Sequence, residues 1–237
     1  MKIAMWSGPR NLSTAMMYSF GARSDCAVTD EPFYACYLKN TGLQHPMRDE
    51  ILAAQSQNPQ TVADFLSGPN PGETPIWYQK HMTQHMIAGV PRDWMRNVRN
   101  VFLIRHPARV VASYAAKRES VTLDDIGFVQ QAALFDEVRR WGGDPVVIDS
   151  SDIRKDPGGM LERLCDAIGV AWSPQMLSWP KGGHRNDGVW APHWYGSVWE
   201  STGFASAEGS IPDLVGAAKQ LADAALPYFN RLKDEKL

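Results

Sequence analysis

The sequence predicts a single-domain, three-layer α/β/α protein, residues 1–237, built on a central and mostly parallel sheet of five strands. Three observations carry that expectation. Short β-rich runs alternate with helical patterns along the chain, as a parallel sheet with crossover helices requires. At 237 residues and 44% hydrophobic, the chain can bury one substantial core. No repeat, low-complexity tract or interdomain linker divides it.

The candidate strands are KIAMW (2–6), CAVTD (26–30), PIWYQK (75–80), NVFLIR (100–105) and PVVID (145–149). Between them, Phe128, Ala132, Phe135 and Val138 fall at helical spacing, as do Leu161, Leu164, Cys165 and Ile168. The second set follows Asp156-Pro157 and precedes Gly169, an N-cap, a first-turn proline and a terminating glycine in order. A last helix is expected over about 212–226, introduced by Ser210 and Pro212 and ending near Pro227. The stretch QSQNPQTVADFLSGPNPGETP (55–75) is the most turn-rich and reads as a surface excursion. GVWAPHWYGSVWESTGF (188–204) carries few helical signals and reads as a lid-like loop, whose aromatic residues could roof a ligand.

Composition narrows the function classes. The formal charge is −2 with both signs interspersed, so no continuous basic face for nucleic acid is expected. The amino terminus has too few apolar residues for a signal-peptide core, and no stretch approaches the ~20 apolar residues of a membrane span. Cys26, Cys36 and Cys165 form no C-x-x-C pair and fit buried thiols in a reducing compartment. A soluble, cytoplasmic protein is the expectation.

Two loops carry the chemistry. GPRNLSTAM (8–16) follows the first strand where a phosphate-binding loop belongs, but after Gly8 and four residues the chain reaches Ser13 and Thr14 without the Walker glycine and lysine. A helix amino terminus at that sheet edge offers unpaired N–H groups and a positive dipole end, with Arg10 as the available cation. In the plainer alternative, Asn11 or Ser13 merely caps the helix. The second loop, FLIRHPARVVASYAAK (102–117), runs from an apolar strand through Arg105 and Pro107 into a helix, with Ser113 eight positions after the arginine. Arg105 and Ser113 can converge on one phosphate, as fork-shaped cation and hydroxyl donor.

This pair of loops resembles those of the P-loop sulfotransferases, which use 3′-phosphoadenosine-5′-phosphosulfate (PAPS). In that family a [KR]-S-G-T-T loop binds the 5′-phosphosulfate and an R-x-P-x(5)-S element binds the 3′-phosphate. PRNLST matches the first, so the resemblance implies donor contacts from Arg10, Asn11, Leu12, Ser13 and Thr14. RHPARVVAS matches the second in identical spacing, implying Arg105 and Ser113. The likeness continues through VVIDSSDIRKDPGGMLERLCDAIGV (146–170) and more faintly to PKGGHRNDGVWAPHW (180–194), where the family carries a basic, glycine-containing loop over the nucleotide. One position departs from the pattern: the family's glycine is Leu12.

Sulfuryl transfer needs a base for the acceptor proton and a cation for the charge developing on the leaving oxygen. EPF (31–33) matches relatives with carbohydrate acceptors in which a glutamate is the base, which nominates Glu31. The cytosolic branch instead uses a histidine after a third-strand lysine, which nominates His81 beside Lys80, with His85 in reserve. Strand alternation puts Lys80 and His81 on opposite faces unless the strand ends between them. Glu31 as base and Lys80 as charge stabiliser is the preferred assignment. Asp30 or Glu31 could equally cap a helix near Pro32. His81 and His85 find no third ligand, so no metal is expected.

The expected reaction is transfer from PAPS to a hydroxyl or amine of a small-molecule acceptor. A small-molecule or nucleoside kinase is the alternative enzyme; it would want a loop lysine and acidic Mg²⁺ ligands. A non-catalytic nucleotide-binding protein is the third reading. No lysine is nominated for a pyridoxal-phosphate Schiff base. Neither the acceptor nor the oligomeric state is written in the spacing.

Overall fold

Five strands occupy the positions the β-rich runs predict. In the computed structural model, which describes residues 1–115 and 121–237, β1 (Lys2–Ser7), β2 (Cys26–Asp30), β3 (Ile76–Met82), β4 (Arg99–Ile104) and β5 (Val146–Asp149) form one sheet. Its order is β2-β3-β1-β4-β5 and every pairing is parallel. Alternation along β1 builds both layers. Ala4 and Trp6 face one side, Ile3 and Met5 the other, and all four are fully buried.

Against the Ile3 face pack α1 (Ser13–Gly21), α8 (Ser150–Lys155) and α9 (Pro157–Ile168). The Trp6 face is covered by α4 (Pro59–Ser67), α5 (Pro107–Ala115), α7 (Phe128–Arg140) and α12 (Gly216–Lys233). The remaining helices, α2 (Tyr34–Thr41), α3 (Arg48–Ala54), α6 (Leu123–Ile126), α10 (Ala191–Trp194) and α11 (Gly196–Trp199), are short and belong to the connections. The signals read for α9 are all used. The Asp156 side chain accepts from Gly159 N–H, Pro157 opens the first turn, and Gly169 ends it at φ +76°. Cys26, Cys36 and Cys165 are buried free thiols.

Three expectations change. The 55–75 excursion contains α4, because the Asn58 side chain accepts from Gln60 and Thr61 N–H while Val62 and Leu66 bury one face. The last helix starts at Gly216 rather than near 212 and runs through Pro227 to Lys233. Burial of Phe229 and Leu232 against the sheet layer outweighs the amide that proline removes. The 188–204 segment is a packed wall containing α10 and α11, with Trp190 and Tyr195 buried.

The chain leaves β1 toward α1 on one face and leaves β4 toward α5 on the other. These neighbouring strands thus open a crevice at their carboxyl ends, the place where open α/β sheets hold ligands. Gln131 of α7 reaches into this edge, donating to the carbonyls of both Trp6 and Leu103.

Pro227 is exposed, so Pro227→Ala should restore a helix amide without losing packing. The expected gain is up to about 3 kcal/mol, read as a higher urea midpoint at unchanged slope. A lower midpoint would show that the proline shapes the helix productively.

Candidate active site

The first loop leaves β1 through Gly8, where an added Cβ would stand 2.5 Å from the Ile126 carbonyl oxygen. Arg10 (φ +58°) and Leu12 (φ +63°) then adopt left-handed backbone conformations around Asn11. Such alternation turns successive N–H groups toward one concavity. Leu12 thus takes the conformation that glycine adopts without penalty, at an expense of roughly 1–2 kcal/mol for a side-chain-bearing residue. It provides no side-chain cap. The first backbone bond of α1 runs from Met16 N–H to the Leu12 carbonyl, leaving the N–H groups of Ser13, Thr14 and Ala15 without a partner among the described residues. An anion is the natural complement to such a helix end.

The second loop meets the first. Arg10 Nε donates to Ser113 Oγ at 3.0 Å, and Arg105 Nη1 donates to the Arg10 carbonyl at 2.5 Å. The Asn11 amide donates to the Leu103 carbonyl at 2.5 Å, pinning the loop to the end of β4. Burial and the neighbouring Arg105 charge both lower the pKa of Arg10, a field that a bound anion would relieve. Residues 116 and 117 of the quoted second stretch lie outside the described residues.

A cavity of about 350 Å³ opens from this junction. Residues 9–15, Arg105 and Ser113 line one end; Glu31, Lys80 and His85 line another part of the wall. Tyr34, His45, Trp194 and Tyr195 add aromatic surface, with Met82 and Val198 as apolar contacts. Most of this second group comes from connections, as binding surfaces commonly do.

Register explains the charged part of the wall. Asp30 ends β2 opposite Lys80, and Glu31 follows at φ +39° with its N–H bonded to the Lys80 carbonyl. Lys80 is 1% exposed; its Nζ donates to Asp30 at 2.8 Å, Glu31 at 2.5 Å and the Tyr195 hydroxyl at 2.6 Å. Tyr195 also contacts both Asp30 oxygens and accepts from Trp190 Nε1. Burial pushes the Glu31 carboxyl above its usual range, and the Asp30 charge adds to this while Lys80 opposes it. Burial alone would pull Lys80 down, but the two carboxylates hold its ammonium above its ordinary pKa.

The histidines separate. Lys80 shares a face with Tyr78, whereas His81 points into the opposite layer, stacked on Trp6 at 4.4 Å and set against Trp94 at 5.1 Å. Burial, aided by the Lys80 charge, lowers its pKa to about 3. His81 lines none of the cavity, a direct result of strand alternation continuing through residue 82. His85 does line it, with Nε2 4.0 Å from Glu31 Oε2, and burial keeps its imidazole neutral.

The sequence reading left Asp30 and Tyr195 without a place in one network, although Asp30 adjoins Glu31 and Tyr195 stands in the aromatic run. Of the 180–194 stretch, Trp194 lines the cavity and residues 180–187 do not. The 180–187 part packs on α1 through Tyr18 and Asp187, and Lys181 pairs with Glu200. The cations beside Arg105 are Arg109 and Arg154, both held by Glu208. No spacing links those three positions. Among the described residues, no group of three or more His, Cys, Asp or Glu gathers as a metal site would, and no helix is long and apolar enough to cross a membrane.

Two bridged strand-to-helix loops thus lie at a cavity that also holds a buried carboxylate–lysine pair, and the chain belongs to the sulfotransferase domain family, whose pattern matches residues 1–236. The fold agrees with solved sulfotransferase structures. The sulfotransferase domain of the Synechococcus PCC 7002 olefin synthase aligns at a TM-score of 0.57 and 17% identity, covering 94% of each chain. A sulfotransferase from Alicyclobacillus acidocaldarius aligns at 0.55 and 10%, covering 98% of this chain and 94% of that one. Among curated sequences, branched-chain-amino-acid aminotransferase-like proteins 1 and 2 of Arabidopsis thaliana are 36% and 33% identical over 232 residues. Those residues are 98% of this chain but 41% of each relative, so the chain spans less than half of the proteins that carry that name.

Replacing Lys80 by methionine leaves the buried Asp30 and Glu31 carboxylates without their cation. The expected loss is about 3–5 kcal/mol of unfolding free energy, measured by urea denaturation. A loss under about 1 kcal/mol would mean that water reaches both carboxylates.

Proposed function

We propose that this sulfotransferase domain transfers the sulfuryl group of PAPS to a hydroxyl or amine of a small-molecule acceptor. The observation that carries the reading is the junction of Arg10, Ser113 and Arg105 on a cavity whose wall also holds Glu31 and Lys80. The donor supplies a sulfur bonded to a phosphate that can leave. The unpaired N–H groups of residues 13–15 and the hydroxyls of Ser13 and Thr14 hold that 5′-phosphosulfate, with Arg10 alongside; Asn11 and Leu12 shape the loop. Arg105 and Ser113 take the 3′-phosphate.

Glu31 accepts the acceptor's proton as the new oxygen–sulfur or nitrogen–sulfur bond forms and the bond to the bridging oxygen breaks. Its raised pKa makes it a better base than a surface carboxylate, and Lys80 and Tyr195 fix its orientation. Lys80 supplies positive charge at the end of β3 against the negative charge that develops in transfer. His81 receives no role, since it lies in the opposite layer. The aromatic wall from Tyr34, Trp194 and Tyr195 suits an acceptor with an apolar or ring-bearing body.

The kinase reading lacks its loop lysine. Pyridoxal-phosphate chemistry, which the relatives' names raise, would need a lysine free to form a Schiff base. Lys80 is instead bound to two carboxylates.

The test is calorimetric titration with adenosine 3′,5′-bisphosphate and with ATP, followed by transfer assays with PAPS across hydroxyl and amine acceptors. The bisphosphate should bind and ATP should not; preferential ATP binding with phosphate transfer would establish a kinase. An absorbance scan for bound pyridoxal phosphate checks the remaining chemistry.

Glu31→Gln should lower kcat by about 10²–10⁴ while leaving bisphosphate affinity within a few-fold. Equal loss of both would make Glu31 a structural residue.

The pH profile has a defined sign. Activity requires ionised Glu31 and should rise as pH climbs through its folded pKa. Asp30→Asn removes a charge that raises that pKa, so the acid limb of kcat/KM should move to lower pH. Tyr195→Phe removes a hydrogen bond to the carboxylate and should move it to higher pH. Identical limbs in all three proteins would assign the base elsewhere.

A further inference from the structure

The segment from residue 205 to 215 has neither helix nor strand, and Ala205, Ser206, Ala207, Gly209 and Ser210 are exposed. Within this exposed run Glu208 turns inward, its side chain 5% exposed. A buried carboxylate on an otherwise exposed strap needs close cationic partners, and Glu208 has three. Oε1 accepts from Arg105 Nη2 and from Arg154 Nη1 at 2.8 Å, and Oε2 lies 3.2 Å from Arg109 Nε. The same arginines clamp the strap's backbone, since Arg154 Nε donates to the Ser206 carbonyl at 2.8 Å and Arg109 Nη2 to that of Gly209 at 2.5 Å.

The charges do not balance. Three guanidinium groups, from the end of β4, from α5 and from α8, surround one monoanion. Their excess suits a dianion with three terminal oxygens, and phosphate is the common ligand of that kind. The position matters as well. Arg105 and Ser113 line the cavity, whereas Arg109, Arg154 and Glu208 stand beyond Arg105 and line none of it. Four of their donors are engaged there: Arg105 Nη2 and Arg154 Nη1 on the carboxylate, Arg109 Nη2 and Arg154 Nε on the strap carbonyls. A phosphate that took the Arg105 Nη2 and Arg154 Nη1 donors would have to displace Glu208.

We propose that Glu208 is a resident stand-in for phosphate: the strap at 205–209 holds shut a three-arginine site, Arg105, Arg109 and Arg154, until the ribose phosphate of the donor nucleotide displaces the carboxylate. This rests on the donor reading above and adds two arginines and a competing acid to it. The strap is then a built-in check on the donor. A nucleotide with only a 5′-phosphate fills the first loop but leaves Glu208 seated, while one with a 3′-phosphate as well releases it.

The experiment uses adenosine 3′,5′-bisphosphate and adenosine 5′-monophosphate as probes in calorimetry of the wild type and of Glu208→Gln. The variant should bind the bisphosphate at least tenfold more tightly and the monophosphate within twofold of wild type. Arg109→Ala and Arg154→Ala should each weaken the bisphosphate selectively. A second readout needs no variant: a glutamate-specific protease should cleave after Glu208 of the wild type faster with the bisphosphate bound, and no faster with the monophosphate. Equal bisphosphate affinity in wild type and Glu208→Gln, with unchanged cleavage, would overturn the strap proposal while leaving the donor reading standing. Failure of both proteins to bind either nucleotide would remove the donor reading and this proposal together.

Discussion

The hydrogen bond from the Arg105 guanidinium to the Arg10 carbonyl turns two strand-to-helix junctions into one site. β1 and β4 are neighbours, but their chains depart to opposite faces of the sheet. A side chain long enough to cross the crevice is therefore needed to hold one loop's backbone against the other. Arginine meets that need with several donors, so Arg105 can grip a carbonyl and still present charge. Asn11 on the Leu103 carbonyl and Gln131 on both strand ends stiffen the same edge. Of the five non-glycine residues with positive φ among the described residues, three are Arg10, Leu12 and Glu31. Backbone strain thus concentrates where the surrounding bonds are dense enough to sustain it.

The cavity has two electrostatic regimes, and the proposed function gives each its own task. At the Arg10 loop, cations and unpaired N–H groups gather, and the acid beside them, Glu208, sits on the Arg105 side. At the end of β3, Asp30, Glu31, Lys80 and Tyr195 form a closed network in which every charge has a partner. A satisfied but strained and desolvated carboxylate is better suited to moving a proton. The solved sulfotransferases share this chain's fold at 10–17% identity, which shows how little of the architecture depends on particular core side chains.

The strands were legible because a buried parallel sheet demands short apolar runs, and α9 because its cap, proline and glycine are local devices. Helix α4 hid inside a polar stretch: Asn58-Pro59 was visible, but the turn-forming residues around it dominated the reading. Pro227 misled for a related reason, since the burial that keeps α12 going beyond it comes from the distant sheet layer. His81 and Lys80 show the limit inside a site. Alternation put them on opposite faces, yet which face meets the cavity depends on where β3 ends.

What the amino-acid sequence determined by itself was the alternation of elements, the two strand-to-helix loops and the nomination of Glu31 beside Asp30. These are encoded by neighbours a few positions apart, through period-two patterning, turn chemistry and fixed motif spacing. Only the tertiary structure decided that His81 is a core residue, that Tyr195 closes the Asp30–Lys80 network, and that Glu208 sits among three arginines. Those outcomes join residues about 50 to 165 positions apart. A folded sheet edge brings them together, and charge burial acts through space rather than along the chain.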